Sequence, residues 1–469
     1  MKQIILNEWK MLLRVRVLAY LTLFFIVGLT AVTWLGIVQN NRQQAQQQEA
    51  KEHIRRQWES IDAMNPHSAA HYGSYAFKPA TALSSVDEGV NSITGNVLRL
   101  EGHVQNEIAY SEASQSLSVS KFGKLKPSLL LQYVIPLFLI FLAFASVSNE
   151  KETGRLKLLV FQGTSLSRLI FAKALSVWIY GLLLLVVTIG TQVFVNAKAT
   201  DTDSLTRTAL LLLAYAVYYY VIALLATWFS ARLKSNAASL STMLALWILW
   251  TIFLPKIWGN TADKLYPLPS RQEFKTAMQE DRSKGLDGHN PSDKRADEFK
   301  QKILAQYKVD KVEDLPINYD GLRMQADEEY GNDVWDRHFG NNYAILRKQK
   351  NAYQLSGIFN PFASLQSASM GYSGSDMYHH LDFLRQAENY RRDLIRTLNE
   401  KQAYGGSRTG DWGWKENNAF FRSVKDFEYS TPVIGKAGSH YRTDMLLLAL
   451  WALLATLIVV FTSKKIRLV

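Results

Sequence analysis

The chain has 469 residues, with 53 Lys and Arg against 41 Asp and Glu, a net charge of +12 and no cysteine. Without cysteine it forms neither disulfides nor zinc–thiolate or iron–sulfur sites. A basic chain can bind nucleic acid, but much of this excess flanks apolar segments, where anionic lipid headgroups attract it. We therefore expect a lipid bilayer and no nucleic acid among its partners.

Six apolar segments reach the roughly 20 residues that a helix needs to cross a hydrocarbon core. We number them TM1 to TM6; they span 17–38, 128–147, 169–195, 209–229, 237–258 and 445–462. None contains Asp or Glu, and Lys173 is expected to snorkel from the cytoplasmic end of TM3. The pattern predicts a mainly α fold: a six-helix transmembrane bundle with an amphipathic N-terminal helix and two large, mostly helical insertions.

The short loops predict the orientation, because Lys and Arg favour the cytoplasmic side. Basic residues precede TM1, lie in the loops 148–168 and 230–236, and form the tail 463–469, which includes Arg467. The short loop 196–206 has only Lys198 against two Asp. We therefore expect both termini in the cytoplasm and two extracytoplasmic domains, 39–127 and 259–444.

Residues 1–16 place apolar and basic side chains at helical spacing. Ile4 and Trp9 alternate with Lys2 and Lys10 in this segment. A helix of this kind lies in the headgroup region with its apolar face toward the acyl chains. The pattern predicts a cytoplasmic interfacial helix before TM1.

The first extracytoplasmic domain begins with good helix formers. Residues 39–62 are rich in Gln, Glu, Ala and Arg and are expected to continue TM1 as a stalk that ends before Asn65-Pro66. His67 and His71 are four residues apart and could ligate a metal on a helix, but Pro66 and Gly73 favour a turn. We therefore predict hydrogen-bonded imidazoles and no metal site, with these two histidines as the weak candidates.

The second extracytoplasmic domain shows three amphipathic helical patterns, at 267–315, 319–354 and 377–401. A break at 358–362 and a Ser/Gly-rich stretch separate the second pattern from the third. Residues 404–431 are rich in Gly and aromatic residues and are predicted to be irregular.

The charged segment 148–168 between TM2 and TM3 is the most informative run in the chain. Leu156, Leu159 and Val160 recur at helical spacing and predict one apolar face, while Glu150 and Glu152 suit the N-terminal dipole of a helix. Such a helix can place its apolar face in a groove of a cytoplasmic protein. The alternative is a loop helix that lies on the lipid surface.

This segment resembles the coupling region of type 2 ABC exporter permeases. The resemblance is carried by Glu150-Lys151-Glu152-Thr153-Gly154-Arg155-Leu156-Lys157-Leu158-Leu159, followed by Ser167-Arg168 and Lys173. It implies that Glu150, Glu152, Gly154, Arg155, Leu156 and Leu159 couple the chain to an ABC ATPase in the cytoplasm. It further implies pairing with a second copy or a sister permease. Arg155 departs from the family pattern, which usually has Thr there.

The two large insertions resemble a subgroup related to permeases of copper-enzyme maturation. The segments that carry this resemblance are 65–73, 87–90 and 360–383. They have no chemistry that can be transferred to this chain.

No enzymatic motif occurs: the sequence lacks G-x-x-x-x-G-K-[ST], H-E-x-x-H and G-x-S-x-G. We therefore predict no catalytic residues, no enzyme activity and no cofactor bound by this chain, with ATP held by the partner ATPase. Pro136 lies inside TM2 and should kink it. The kink is either a hinge that opens a lateral path or a static bend that fits the neighbouring helices.

These features lead to one functional expectation and one alternative. The expectation is the permease subunit of an ABC exporter in a bacterial cytoplasmic membrane. It would move an amphipathic, lipid-like or peptide cargo outward, because the spans hold few polar groups. The alternative is a non-transporting scaffold that binds a partner protein through its outer domains.

Overall fold

A computed structural model describes residues 1–14, 16–108, 125–196, 201–286 and 294–466. The basic residues Lys198 and Arg467 lie outside the described residues. The structure is 77% helical, and the part of the chain that it describes has six helices that are long and apolar enough to cross a membrane. The predicted mainly α class is confirmed.

The six candidate spans contain the six predicted segments. They are Arg16–Glu59, Pro127–Glu152, Leu166–Val195, Thr202–Arg232, Asn236–Leu265 and Ile434–Thr462. A helix satisfies its own backbone hydrogen bonds, which is why apolar segments of this length adopt it in lipid. TM4 is the most enclosed span, with Tyr215, Tyr218 and Tyr219 fully buried, so it forms the centre of the bundle.

The predicted N-terminal helix and stalk are both present as helices. The first helix is Lys2–Arg14, and Arg16–Glu59 runs without interruption for 44 residues through TM1 into the stalk. Trp9 of the first helix packs on Tyr180 of TM3 with ring centroids 6.2 Å apart. The N-terminal helix is therefore attached to the bundle.

The first insertion combines short helices with one hairpin. Its helices are Pro66–Tyr72 and Asn91–Thr94, and strands Ser74–Phe77 and Val97–Leu100 pair antiparallel with Ser74 opposite Leu100. A second two-stranded sheet joins Ala63–Met64 to Glu416–Asn417. This pairing connects the two insertions.

The second insertion confirms the predicted helical patterns. Its helices are Arg271–Ser283, Lys294–Tyr307, Tyr319–Leu355, Pro361–Tyr372, Met377–Tyr404, Asn418–Ser423 and Ile434–Ala437, after which Arg442–Thr462 forms TM6. Most of the segment 404–431 lacks regular structure, as predicted.

The Ser/Gly-rich stretch after residue 360 differs from the expectation, because it forms the buried helix Pro361–Tyr372. Its Phe362 packs against Tyr133 of TM2 and Tyr218 of TM4, with ring centroids 5.0 and 6.4 Å apart. Tyr218 lies near the middle of its span. This helix of the second insertion therefore enters the bundle rather than resting on it.

Candidate functional site

The segment between TM2 and TM3 is two short helices rather than one. Ser148–Glu152 extends TM2, and Arg155–Phe161 follows after a break at Gly154, which has a φ of +74°. Only glycine adopts this left-handed conformation without a steric cost. The expectation of a continuous helix through Glu150–Leu159 was therefore wrong, and Gly154 sets the angle between the two pieces.

The two acidic residues of the motif bind other parts of this chain. Glu152 accepts hydrogen bonds from the backbone N–H and the side-chain amide of Asn236, at the start of TM5, both at 3.0 Å. Glu150 lies 2.9 Å from the ammonium of Lys173, which also pairs with Glu8 of the N-terminal helix. Lys173 is 2% exposed. It does not snorkel as expected, because two carboxylates compensate its burial.

The predicted apolar face of the helix Arg155–Phe161 packs on the bundle instead of facing a partner, and other apolar residues lie on its opposite side. Leu156 is fully buried and Leu159 is half-buried against the bundle, so these two residues anchor the helix instead of facing a partner. Leu158 and Phe161 are 62% and 85% exposed. They lie three residues apart and form one stripe on the opposite side.

We call Arg155, Lys157, Leu158 and Phe161 the exposed face of this helix; all four are exposed. Sequence reasoning did not single out Leu158 and Phe161, the exposed apolar residues of this helix. Their i, i+3 spacing was visible, but a helix with apolar residues on two sides does not reveal which side faces the bundle.

Further hydrogen bonds tie this segment to the loop between TM4 and TM5. The ammonium of Lys151 donates to the carbonyls of Ala231 and Leu233, at 2.8 and 3.3 Å. The backbone N–H of Ser148 donates to Ser230 Oγ at 3.0 Å, and its hydroxyl pairs with Asn236. A force on the exposed face would therefore reach TM2, TM3, TM4, TM5 and the N-terminal helix through direct contacts.

TM2 contains a π-helical turn at Leu130–Val134, two residues before Pro136. The N–H of Ile135 bonds to the carbonyl of Leu130, and Pro136 has no N–H to offer the next carbonyl, that of Leu131. The hydroxyl of Tyr219 in TM4 donates to this carbonyl at 2.8 Å. The freed backbone group is thus satisfied by a neighbouring span.

TM5 repeats this arrangement at Pro255, which the sequence analysis did not single out. A π-helical turn at Leu249–Phe253 precedes it, and the carbonyl of Trp250 is the one left without a backbone donor. The side-chain amide of Asn360 donates to it at 2.8 Å, while its oxygen accepts from Phe362 N–H at 3.1 Å. The buried Asn360 therefore caps its own helix and repairs the kink of TM5.

A buried polar cluster joins the first insertion to the same region. The carboxylate of Asp87 accepts hydrogen bonds from Ser369 at 2.5 Å and from Gln132 at 3.1 Å, and Gln132 also donates to Tyr215 at 3.1 Å. Burial raises the pKa of Asp87 despite these hydrogen bonds. Gln132 belongs to the π-helical turn of TM2, so both insertions meet at this kink.

The weak histidine candidates lie on a helix rather than in the expected turn. Asn65 caps Pro66–Tyr72 by accepting from the N–H groups of His67 and Ser68, and Pro66 suits the first helical position. His67 and His71 consequently share one face, and the loop after Val97–Leu100 brings His103 beside them. Sequence reasoning missed His103.

An outer cavity of about 360 Å³ lies between the helices Tyr319–Leu355 and Met377–Tyr404. Its lining combines apolar and charged side chains, among them Tyr343, Tyr378, Leu384, Arg347 and Arg385. A cavity of this size and mixed lining can hold part of an amphipathic molecule.

Comparison with known proteins places these features in a family. The family model of the ABC-2 family transporter protein matches residues 3–294, and a domain of unknown function, DUF3526, matches residues 271–423. No curated protein and no solved structure shows significant similarity to the chain. The first match covers more than half of the sequence and includes TM1 to TM5 and the segment between TM2 and TM3. The chain therefore belongs to the ABC-2 family of transporter proteins, whose members are membrane permease components.

Proposed function

We propose that this chain is the permease subunit of an ABC exporter, driven by a separate cytoplasmic ATPase and paired with a second copy or a sister permease. The observation that supports it best is the exposed face, where Leu158 and Phe161 offer apolar side chains beside Arg155 and Lys157. Two large apolar side chains on an exposed stripe are typical of a docking surface.

The internal contacts of the segment explain how such a partner would act. Leu156 holds the helix to the bundle, while Glu150 and Glu152 connect it to TM3, TM5 and the N-terminal helix. Closure of the ATPase on ATP would displace the exposed face, and these contacts would transmit the displacement to the spans. Pro136 would then act either as a hinge of TM2 or as a fixed bend.

The proposed cargo is amphipathic, lipid-like or a peptide, and it moves outward. None of the six predicted apolar segments TM1 to TM6 contains Asp or Glu. A hydrophilic solute would therefore leave unpaired polar groups there. The outer cavity, with aromatic, leucine and arginine side chains, supports the same cargo class. Export is supported by the two bulky insertions, which would obstruct an external binding protein.

Binding of the ATPase tests the role of the exposed face. Phe161→Asp should abolish co-purification of the ATPase encoded beside this chain, because it places a charge in an apolar contact. Ile93→Asp is the matched control, since Ile93 is 70% exposed on the first insertion and should not affect the complex. Equal recovery of the ATPase with both variants would refute the proposed docking surface. Absence of any ATPase with the wild-type chain would favour a scaffold.

Labelling and transport test the orientation and the direction. We propose a bacterial cytoplasmic membrane with both termini inside, so Thr276→Cys should react with an impermeant maleimide on intact cells and Ser165→Cys should not. Both positions are exposed, and the chain has no native cysteine. In reconstituted vesicles with ATP on the ATPase side, a labelled amphipathic cargo should leave that side. Accumulation there would refute export.

A further inference from the structure

Three histidines from two parts of the first insertion meet in one cluster. His67 and His71 lie one turn apart on the helix Pro66–Tyr72, and His103 follows the strand Val97–Leu100. The three ring centroids are 4.8, 5.0 and 5.3 Å apart, and one ligand nitrogen of each ring lies within 4.8 Å of the others. The imidazoles thus form a nearly equilateral triangle.

Hydrogen bonds to the outer nitrogens fix the orientation of two of these rings. Nδ1 of His67 lies 3.3 Å from the side-chain oxygen of Asn399, and Nδ1 of His103 lies 3.2 Å from a carboxylate oxygen of Asp327. Both oxygens accept, so Nδ1 carries the proton in each ring and Nε2 presents its lone pair. Carboxylate or carbonyl partners of this kind orient the histidine ligands of most metal sites.

The distance between ring nitrogens matches that of two ligands on one ion. Nε2 of His67 and Nε2 of His71 are 3.2 Å apart. Two nitrogens bound to a tetrahedral zinc at about 2.0–2.1 Å lie about 3.3–3.4 Å from each other. Without metal, the N–H of His71 can donate to His67; on binding a cation through Nε2, His71 would take its other neutral tautomer, with the proton on Nδ1 and no net loss of a proton.

We propose that His67, His71 and His103 bind one divalent cation of the zinc type through their ring nitrogens. His67 is buried and His71 is exposed, so the fourth coordination position faces the exposed side and would take water or another ligand. Imidazole ligands favour zinc and its neighbours over magnesium or calcium. The sequence-based expectation of no metal rested on a turn at Pro66 and Gly73, and the helix removes that reason.

The site would connect the two insertions. All three ligands belong to the first insertion, whereas Asp327 and Asn399 belong to the helices Tyr319–Leu355 and Met377–Tyr404 of the second. Arg282 pairs with Asp327 and holds the carboxylate in place. A bound cation would therefore stabilise the contact between the insertions, whether or not the chain transports a cargo.

Metal titration of the full-length protein tests the proposal. The chain is purified in detergent with a histidine-free tag, treated with EDTA, and titrated with Zn²⁺ in competition with a chromophoric chelator. We expect one Zn²⁺ per chain, a higher thermal unfolding temperature on binding, and a tetrahedral visible spectrum with Co²⁺. His71→Ala should weaken Zn²⁺ binding more than about 100-fold, since second-shell changes alone cost 10–100-fold.

His53→Ala is the matched control, because His53 is an exposed histidine on the stalk helix. It should leave both the stoichiometry and the affinity unchanged. His71 is also exposed, so the metal-free His71→Ala protein should unfold at the wild-type temperature. A His103→Gln protein with intact circular dichroism provides the second test and should show the same loss. Equal Zn²⁺ affinity in wild type and His71→Ala, or no binding by the wild type, would overturn the proposal.

Discussion

The substitution Tyr219→Phe should destabilise the bundle although it removes a single oxygen atom. The hydroxyl of Tyr219 donates to the carbonyl of Leu131 at 2.8 Å, and Pro136 deprives this carbonyl of its backbone donor. Both side chains are fully buried. Phenylalanine would fill the same space and leave the carbonyl of Leu131 unpaired.

The expected loss is about 1 kcal/mol of unfolding free energy. A buried acceptor left without a donor costs about 1–3 kcal/mol in water-soluble proteins. Hydrogen bonds between membrane helices average about 0.6 kcal/mol, with a maximum near 1.7. We expect a loss in the upper half of the range measured for membrane helices, because Pro136 offers no backbone N–H that could bond to the Leu131 carbonyl instead. Unfolding in mixed micelles with SDS, followed by tryptophan fluorescence, measures the difference.

Tyr218→Phe is the matched control. Tyr218 is equally buried in the adjacent position, and its hydroxyl has no hydrogen-bond partner among the residues that the structure describes. Its removal should change the unfolding free energy by less than about 0.5 kcal/mol. Equal effects of the two substitutions would refute the role assigned to Tyr219. If TM2 only bends statically, Tyr219→Phe lowers stability without changing the transport rate; if Pro136 is a hinge, the rate changes as well.

Three further predictions use the same unfolding assay. Leu156→Ala should cost about 2–5 kcal/mol, since it empties a buried position, whereas Leu158→Ala should cost less than about 0.5 because Leu158 is exposed. Lys173→Met should cost about 3–5 kcal/mol, because it leaves the carboxylates of Glu8 and Glu150, each 16% exposed, side by side without a cation; an unchanged stability would contradict the ion-pair assignment. Burial and the charge of Lys78 lower the pKa of His380 from 6.5 to about 3. As the pH falls, His380 therefore binds a proton in the unfolded chain before it does so in the folded chain. The contribution of His380 to the free energy of unfolding is fully present above pH 6.5 and falls by up to about 1.4 kcal/mol per pH unit as the pH drops toward 3. His380→Asn should flatten the dependence of stability on pH between pH 6.5 and 5. An unchanged slope would contradict the role assigned to His380.

The spans and long helices follow from the sequence because each depends on local composition. Twenty apolar residues form a helix in lipid whatever their neighbours, and the stalk at 39–62 consists of good helix formers. The short helices between TM2 and TM3 were predictable for the same reason, from the charge and spacing of their residues. Their orientation was not, because Gly154 turns Arg155–Phe161 so that Leu156 faces the bundle and Phe161 is exposed.

Features that depend on distant contacts escaped sequence reasoning. The helix Pro361–Tyr372 is rich in Ser, Ala and Gly, so it lacks the apolar period that identifies an amphipathic helix. Small residues serve another purpose there, since they allow helices to approach closely within a bundle. His103 lies more than 30 residues from His71. The antiparallel pairing of the strands Ser74–Phe77 and Val97–Leu100 between them brings His103 to the helix Pro66–Tyr72.

The two π-helical turns before Pro136 and Pro255 lie between the insertions and the segment 148–168. The π-helical turn of TM2 presents Gln132 to Asp87 of the first insertion, and the turn of TM5 receives Asn360 of the second. The opposite ends of these spans meet through Glu152 and Asn236. A helix transmits displacement along its axis because its backbone hydrogen bonds resist stretching. A push on the exposed face would therefore reach both insertions through TM2 and TM5, and the side chains that bind the two proline-freed carbonyls lie at the π-helical turns of these spans.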